Sequence, residues 1–156
     1  MGDLLVPLYR LPSYHANKQQ SWTIRRPIPP EKHIVTDWVK KHFSEKWASE
    51  CEVACSQTPA SCLMAIEDGK ILGFACFNVT YLNFFGPTGV HPDARGKGIG
   101  RALLLTSLQE MKHMGYAYAI IGGAGPVSFY KKAVGAIEIP DSNDGAYHGM
   151  LQERET

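Results

Sequence analysis

Residues 95–101 read Arg95-Gly96-Lys97-Gly98-Ile99-Gly100-Arg101, and the apolar run Ala102-Leu103-Leu104-Leu105 follows at once. Three alternating glycines at the opening of a helix leave a row of backbone N–H groups with no side chain in front of them. The first N–H groups of a helix lack intrahelical partners, and the aligned peptide dipoles put partial positive charge there. With Arg95, Lys97 and Arg101 alongside, the segment is built to receive a phosphate-bearing ligand. Spacing narrows the choice. A Walker loop needs Ser or Thr after Gly-Lys, where this chain has Gly98. A dinucleotide fingerprint needs a third glycine where Arg101 stands, and an acidic residue after the next strand, where Gly122-Gly123 follow Ala119-Ile120-Ile121. A kinase glycine loop lacks its companion motifs.

Outward from the loop, the pattern is strand, helix, strand. Residues 84–90 lead in as an extended arm, with Gly86-Pro87 marking a bulge. The helix runs from Gly98 to about Met114, with Ile99, Leu103, Leu104, Leu108, Met111 and Met114 forming a broad apolar arc, and Gly115 ends it. Residues 117–121 form a buried strand, so the three elements make a parallel, right-handed β-α-β unit. A glycine-rich loop, residues 122–125, leads to Pro126 at the first turn of a helix that carries Tyr130 and ends near Gly135. Residues 136–139 and 146–151 read as the last two strands. Upstream, residues 4–9 read as a first strand placed at an edge by Pro7. Residues 22–26 read as a second strand, stopped by Pro27-Ile28-Pro29-Pro30. Residues 31–43 are helical, with Ile34, Val35, Trp38 and Val39 on one face. Ser44 caps a second helix through Trp47, Cys51 and Ala54. Residues 62–67 and 71–81 pair as a hairpin across Asp68-Gly69, a type I′ turn.

Composition bounds the rest. A chain of 156 residues with net charge +1 fits one domain, residues 1–156, and carries no overall field toward nucleic acid or a membrane surface. No apolar stretch is long enough to span a bilayer, and the N-terminus lacks a signal peptide's layout. Cys51, Cys55, Cys62 and Cys76 read as small core residues in a reducing cytoplasm; Cys51 and Cys55, four apart, are the one pair on a shared helix face, and no metal is expected.

The loop fits the Arg-x-x-Gly-x-Gly signature, spelled Arg95, Gly98, Gly100, and with its lead-in Val90-His91-Pro92 it resembles the GCN5-related N-acetyltransferase (GNAT) superfamily. Ser128-Phe129-Tyr130-Lys131-Lys132-Ala133-Val134-Gly135 is similar to that family's second motif, and the resemblance covers roughly residues 71 to 139. It implies the GNAT, or acyl-CoA N-acyltransferase, fold: an α/β chain of mixed α+β type, with a mostly antiparallel sheet, one parallel β-α-β crossover and helices on both faces. It implies acetyl-CoA as co-substrate and transfer of its acetyl group to a primary amine of a small molecule or peptide, by direct attack in a ternary complex. The alternative is a non-catalytic module of the same fold that holds CoA or acyl-CoA as a sensor. In the resemblance, Arg95, Gly96, Lys97, Gly98, Ile99, Gly100 and Arg101 cradle the pyrophosphate, Gly89 and Val90 carry the pantetheine arm, and Phe129 and Gly123 complete the cofactor set. Gly123 stands where family members have an asparagine, so that residue's contact must be replaced or lost. Tyr130 takes the place of the general acid that protonates the leaving thiolate.

No general base is assigned from sequence: residues 74–90 hold no Asp or Glu, and Glu67, His91, Asn78, Asn83, Thr80 and His148 remain open. Trp38, Trp47, Tyr81, Phe84, Phe85, Tyr147 and His148 form an aromatic, uncharged acceptor wall, which favours a hydrophobic or neutral amine over a polyanion. Arg25 and Arg26 hint at an acidic acceptor, against the plainer reading of exposed arginines solvated beside a proline turn. Acetyl-CoA and an amine are thus the expected partners, with neither nucleic acid nor membrane. A homodimer through the last strands is compatible with residues 136–156 and not required by them.

Overall fold

Asp68 and Gly69 both adopt a positive φ (51° and 72°), which the two-residue type I′ turn demands, and this turn joins β3 (Cys62–Glu67) to β4 (Lys70–Phe77). The computed structural model describes residues 2–154. Five further strands complete one sheet: β1 (Leu4–Pro7), β2 (Thr23–Arg25), β5 (Phe84–Val90), β6 (Tyr118–Ile121) and β7 (Ile137–Glu138). Their spatial order is β2-β3-β4-β5-β6-β1-β7, and β5 against β6 is the one parallel pair. The helices are α1 (Lys32–His42), α2 (Glu45–Cys55), α3 (Ile99–His113) and α4 (Val127–Val134).

Period-two alternation along β3 assigns the two faces. Cys62 and Met64 point into a core with Val35 and Val39 of α1 and Cys51, Ala54 and Cys55 of α2. Leu63 and Ala65 point the other way, onto Leu103, Leu104 and Leu108 of α3 and the cluster that also holds Tyr130 and Val134 of α4. Helices therefore cover both faces, as the resemblance implied. Ser44 caps α2 as expected, its Oγ accepting the Trp47 N–H at 3.1 Å. Among the described residues, no helix is long and apolar enough to cross a membrane.

Three strand assignments change. β1 lies inside the sheet, between β6 and β7, rather than at an edge. Leu8 donates its N–H to the Ala117 carbonyl at 2.9 Å, so alternate residues face β6 and the Pro7 nitrogen faces the opposite side. On that side β7 pairs only with Leu4 and Leu5, and the missing N–H of Pro7 costs no ladder bond. Residues 146–151 form no strand; Asp144, Gly145 and Gly149 are left-handed, and residues 145–147 make a single 3-10 turn. β4 stops at Phe77 instead of Tyr81, because Asn78 (φ 60°) and Asn83 (φ 59°) turn the chain, and the Asn83 N–H donates to Asn78 Oδ1 at 2.9 Å. Met114 also leaves the apolar arc of α3 and stands 53% exposed.

β5 and β6 meet only at Phe84 opposite Ile120 and Phe85 opposite Ile121, after which they part. Beyond that point β5 runs on to Val90 while β6 gives way to Gly122, leaving a V-shaped opening that leads to the glycine loop. On the α1–α2 side of β5 a Cβ on Gly89 would overlap the Phe43 ring. Gly89→Ala should therefore destabilise the fold by about 1–3 kcal/mol through overpacking. Thermal melting checks this, and Phe43→Leu in the same chain should recover part of the loss.

Candidate functional site

The glycine loop is positioned from both ends. On the β5 side His91 Nδ1 accepts the Asp93 N–H at 3.1 Å and caps a 3-10 turn, Pro92–Ala94. The His91 ring is thus fixed as a local cap, which accounts for its place in the lead-in. On the helix side Ile99 is buried and pins the first turn of α3 into the core. Gly96 (φ 82°) and Gly98 (φ 79°) are left-handed, and a Cβ on either would meet nothing within 4 Å. These two glycines are required by backbone conformation and face open space. Gly100 has ordinary φ and lies 3.7 Å, by its would-be Cβ, from Val90.

The N-terminus of α3 carries no side-chain cap. Ala102 is the first residue of the turn to bond, its N–H donating to the Gly98 carbonyl at 3.1 Å. The N–H groups of Gly98, Ile99, Gly100 and Arg101 take no acceptor among the described residues. Arg95, Lys97 and Arg101 are exposed around them. Four unpaired donors, the positive end of a fifteen-residue helix and three cationic side chains converge on one patch.

Across the V, a Cβ on Gly122 would press on Phe84 (2.9 Å) and Tyr147 (3.2 Å), so glycine is required there by packing. Gly123 is left-handed and exposed, and its N–H is already taken: it donates to Asp3 Oδ1 at 2.9 Å. Asp3, buried at the head of β1, accordingly shapes the loop that leads into α4 and leaves only the Gly123 carbonyl free toward a ligand. Tyr130 sits one turn into α4 with its ring 5% exposed, and Phe129, 37% exposed, meets it edge-on at 5.2 Å. Burial alone pushes the Tyr130 phenol up to about 12, so it stays protonated at neutral pH.

The aromatic wall divides in two. Trp38, Phe43 and Trp47 stack around Phe74 as core, with ring centroids 5.6–6.1 Å from it. Tyr81, Phe84 and Tyr147 line the opening; the Tyr81 hydroxyl donates to the Ala146 carbonyl at 3.2 Å. Between these groups stands Glu50 of α2, half-buried, whose Oε2 accepts from the Tyr147 hydroxyl at 3.0 Å and from the Thr80 hydroxyl. Burial and this carboxylate raise the Tyr147 phenol to about 12.

Glu50 is a functional candidate that sequence reasoning missed. The signal was present: it is three residues after Trp47 and four before Ala54, on the inward side of α2. Of the open base candidates, Asn78 Oδ1 is occupied by the Asn83 N–H and the Tyr116 hydroxyl, and Asn83 Nδ2 donates to the Tyr118 carbonyl. Arg25 and Arg26 are not free. Arg25 grips Glu31 with two bonds of 2.7 Å and holds that carboxyl down to about 2, while Arg26 pairs with Glu110 at 2.9 Å.

The sequence matches the family model of the acetyltransferase (GNAT) family over residues 22–136, a span that leaves out β1 and β7. Among solved structures, a GCN5-related N-acetyltransferase from Sphaerobacter thermophilus superposes with a TM-score of 0.70 at 21% identity, over 88% of this chain and 48% of that one. A GCN5-related glucosamine N-acetyltransferase region of a fungal multi-domain GH3 β-N-acetylglucosaminidase gives 0.69 at 14% identity, over 88% and 19%. The GNAT family N-acetyltransferase YhbS of Escherichia coli, solved with CoA, gives 0.51 at 22% identity, over 66% and 63%. The chain thus spans about half the length of the first and about a fifth of the second. At these identities the likeness speaks to the fold. No curated protein sequence matches the chain.

Proposed function

The chain belongs to the GNAT acetyltransferase family, and from that premise we propose that it transfers the acetyl group of acetyl-CoA to a primary amine by direct attack in a ternary complex. The observation that carries this reading is the uncapped start of α3, where the N–H groups of Gly98, Ile99, Gly100 and Arg101 stand open beside Arg95 and Lys97. That donor set fits the pyrophosphate of CoA. Gly89 and Val90, on the β5 arm of the V, are suited to the pantetheine chain, with Phe129 and the Gly123 carbonyl on the other side. YhbS, crystallised with CoA, has the same fold. Bound there, acetyl-CoA supplies an activated thioester.

The chain's own residues then account for the protons. The acceptor nitrogen forms the new C–N bond as the thioester C–S bond breaks. Tyr130, which burial keeps protonated at neutral pH, gives its phenolic proton to the departing sulfur and regains one from solvent. The proton lost by the amine passes toward Glu50, directly or through Tyr147, and on to solvent. Glu50 also gives the acceptor side one negative charge among aromatic walls, which favours a cationic amine with an apolar body. The pairing of Arg25 and Arg26 with Glu31 and Glu110 removes the argument for an acidic acceptor. Residues 1–156 act in this reading as one catalytic domain in the cytoplasm.

Glu50→Gln keeps the hydrogen-bonding shape and removes the charge. It should lower kcat/KM for the amine about 10–100-fold, within the range of a lost general base, and leave acetyl-CoA binding unchanged. Steady-state kinetics with each substrate varied separately checks this. Thiol release from acetyl-CoA across a panel of amines and peptides tests the whole reading: turnover with at least one amine supports it. Acetyl-CoA binding with no release on any acceptor favours the non-catalytic holder, which needs the glycine loop and neither Tyr130 nor Glu50.

A further inference from the structure

All four cysteines of the chain, none of them used in the proposed acetyl transfer, meet in one place. They belong to the core between α2 and the β3–β4 hairpin, together with Val35, Val39, Met64 and Phe74. The larger core cluster on the opposite face holds no cysteine at all. Small apolar filling of the interior gives no reason for that segregation. Two geometric rules produce the convergence. Cys51 and Cys55, four residues apart, lie on one face of α2, with sulfurs 4.0 Å apart. Cys62 and Cys76 stand directly opposite each other in the β3–β4 register and share a face. Packing the helix on the hairpin brings the Cys51, Cys55 and Cys62 sulfurs within 4.8 Å of one another.

We propose that these cysteines form a structural, thiolate-rich metal site of the zinc type, with Cys51, Cys55 and Cys62 as ligands and Cys76, opposite Cys62 in the sheet but outside that 4.8 Å group, drawn in as the fourth on binding. A tetrahedral site with Zn–S bonds of about 2.3 Å sets its sulfurs about 3.8 Å apart, so the three need close in by 1 Å at most, about the reach of small χ1 adjustments. Soft thiolates select Zn²⁺ or Cu(I) over the hard cations. The site is closed: only Cys55 touches the surface, at 9% exposure, which suits a structural ion and leaves no open position for catalysis. The metal would enter as the chain folds.

On uptake each ligating thiol releases its proton to solvent as its S–metal bond forms, with no change of oxidation state.

Refolding the full chain with one equivalent of Co²⁺, a spectroscopic stand-in for Zn²⁺, tests the proposal. The expected result is an intense sulfur-to-cobalt charge-transfer band that saturates near one equivalent and is displaced by Zn²⁺. Zn²⁺ should also raise the melting temperature of the metal-free chain by several degrees, and Cys51→Ala/Cys55→Ala should lose both effects. Absence of the band in the wild-type chain overturns the proposal whether or not the variant folds. So does a protein purified from zinc-supplemented cells with under a tenth of an equivalent of zinc. Uptake of Cu(I) alone, read by competition with a Cu(I) chelator, or a disulfide found by thiol counting, overturns it equally.

Discussion

Gly98→Asp should abolish the rise in melting temperature that acetyl-CoA confers, while the free protein keeps its circular dichroism. The backbone at Gly98 is left-handed, φ 79°, and Asp is among the few side chains that tolerate that region. A Cβ there meets nothing within 4 Å, so the change costs the fold little beyond about 1–2 kcal/mol for the conformation. Its carboxylate, however, stands at the start of α3 among the N–H groups that have no other acceptor. It occupies the positive helix end and repels a pyrophosphate. A loss of at least about 100-fold in affinity, about 2.7 kcal/mol, is expected. At ligand 100 times its Kd the wild type gains about 2.7 kcal/mol, which for a domain of this size moves the midpoint by about 5–10 °C. The variant should show almost none of that shift. Gly100→Ala, at ordinary φ and 3.7 Å from Val90, should keep a larger part of it.

Tyr130→Phe should reduce kcat by about 10²–10⁴-fold, with the KM for acetyl-CoA changed little. The substitution removes one oxygen and leaves the buried ring that packs with Val134 and Phe129, so folding survives. Because burial holds the phenol at about 12, the wild-type rate should not fall from loss of this proton between pH 7 and 10. The same shift bears on stability. The folded-state value lies above the ordinary 10, so the native chain holds this proton more tightly than the unfolded chain. Its contribution is complete below pH 10 and is lost as pH rises through 12. The predicted difference between wild type and Tyr130→Phe over that window is on the order of 2–3 kcal/mol. Denaturant melts of both proteins at pH 9 and pH 11.5 measure it.

What could be read from residues alone was what neighbours in the chain decide. The turn at Asp68-Gly69, the cap at Ser44, the glycines of the loop and the stop at Gly115 all act within a few positions, and each stands where the sequence put it. The β-α-β unit followed from an uninterrupted run of such local signals. Placement of β1 did not. Its partner, β6, is more than a hundred residues away, and Pro7 gave a misleading cue because β7 is too short to need its N–H. Residues 146–151 have strand-like composition, yet left-handed Asp144, Gly145 and Gly149 divert them to deliver Tyr147. Glu50 and Tyr147, 97 positions apart, meet only once the tertiary fold is made, and the same holds for Cys62 joining Cys51 and Cys55. In the proposed reading the donor side of the site is written in one contiguous motif, whereas the acceptor side is assembled from α2, the loop after β4 and the 3-10 turn near the C-terminus.

The central claim is that the start of α3 holds the pyrophosphate of acetyl-CoA. Amide ¹H–¹⁵N spectra of the full chain, recorded as acetyl-CoA is added, test it most directly. The largest shifts should fall on Gly96, Lys97, Gly98, Ile99, Gly100 and Arg101, with a second group at Gly89, Val90 and Gly123. A groove of about 1070 Å³ on the far flank of α3, lined by Tyr14, Arg25, Leu105 and Glu110, should stay silent. Shifts confined to that groove, or no shift at residues 96–101 at saturating acetyl-CoA, would contradict the account.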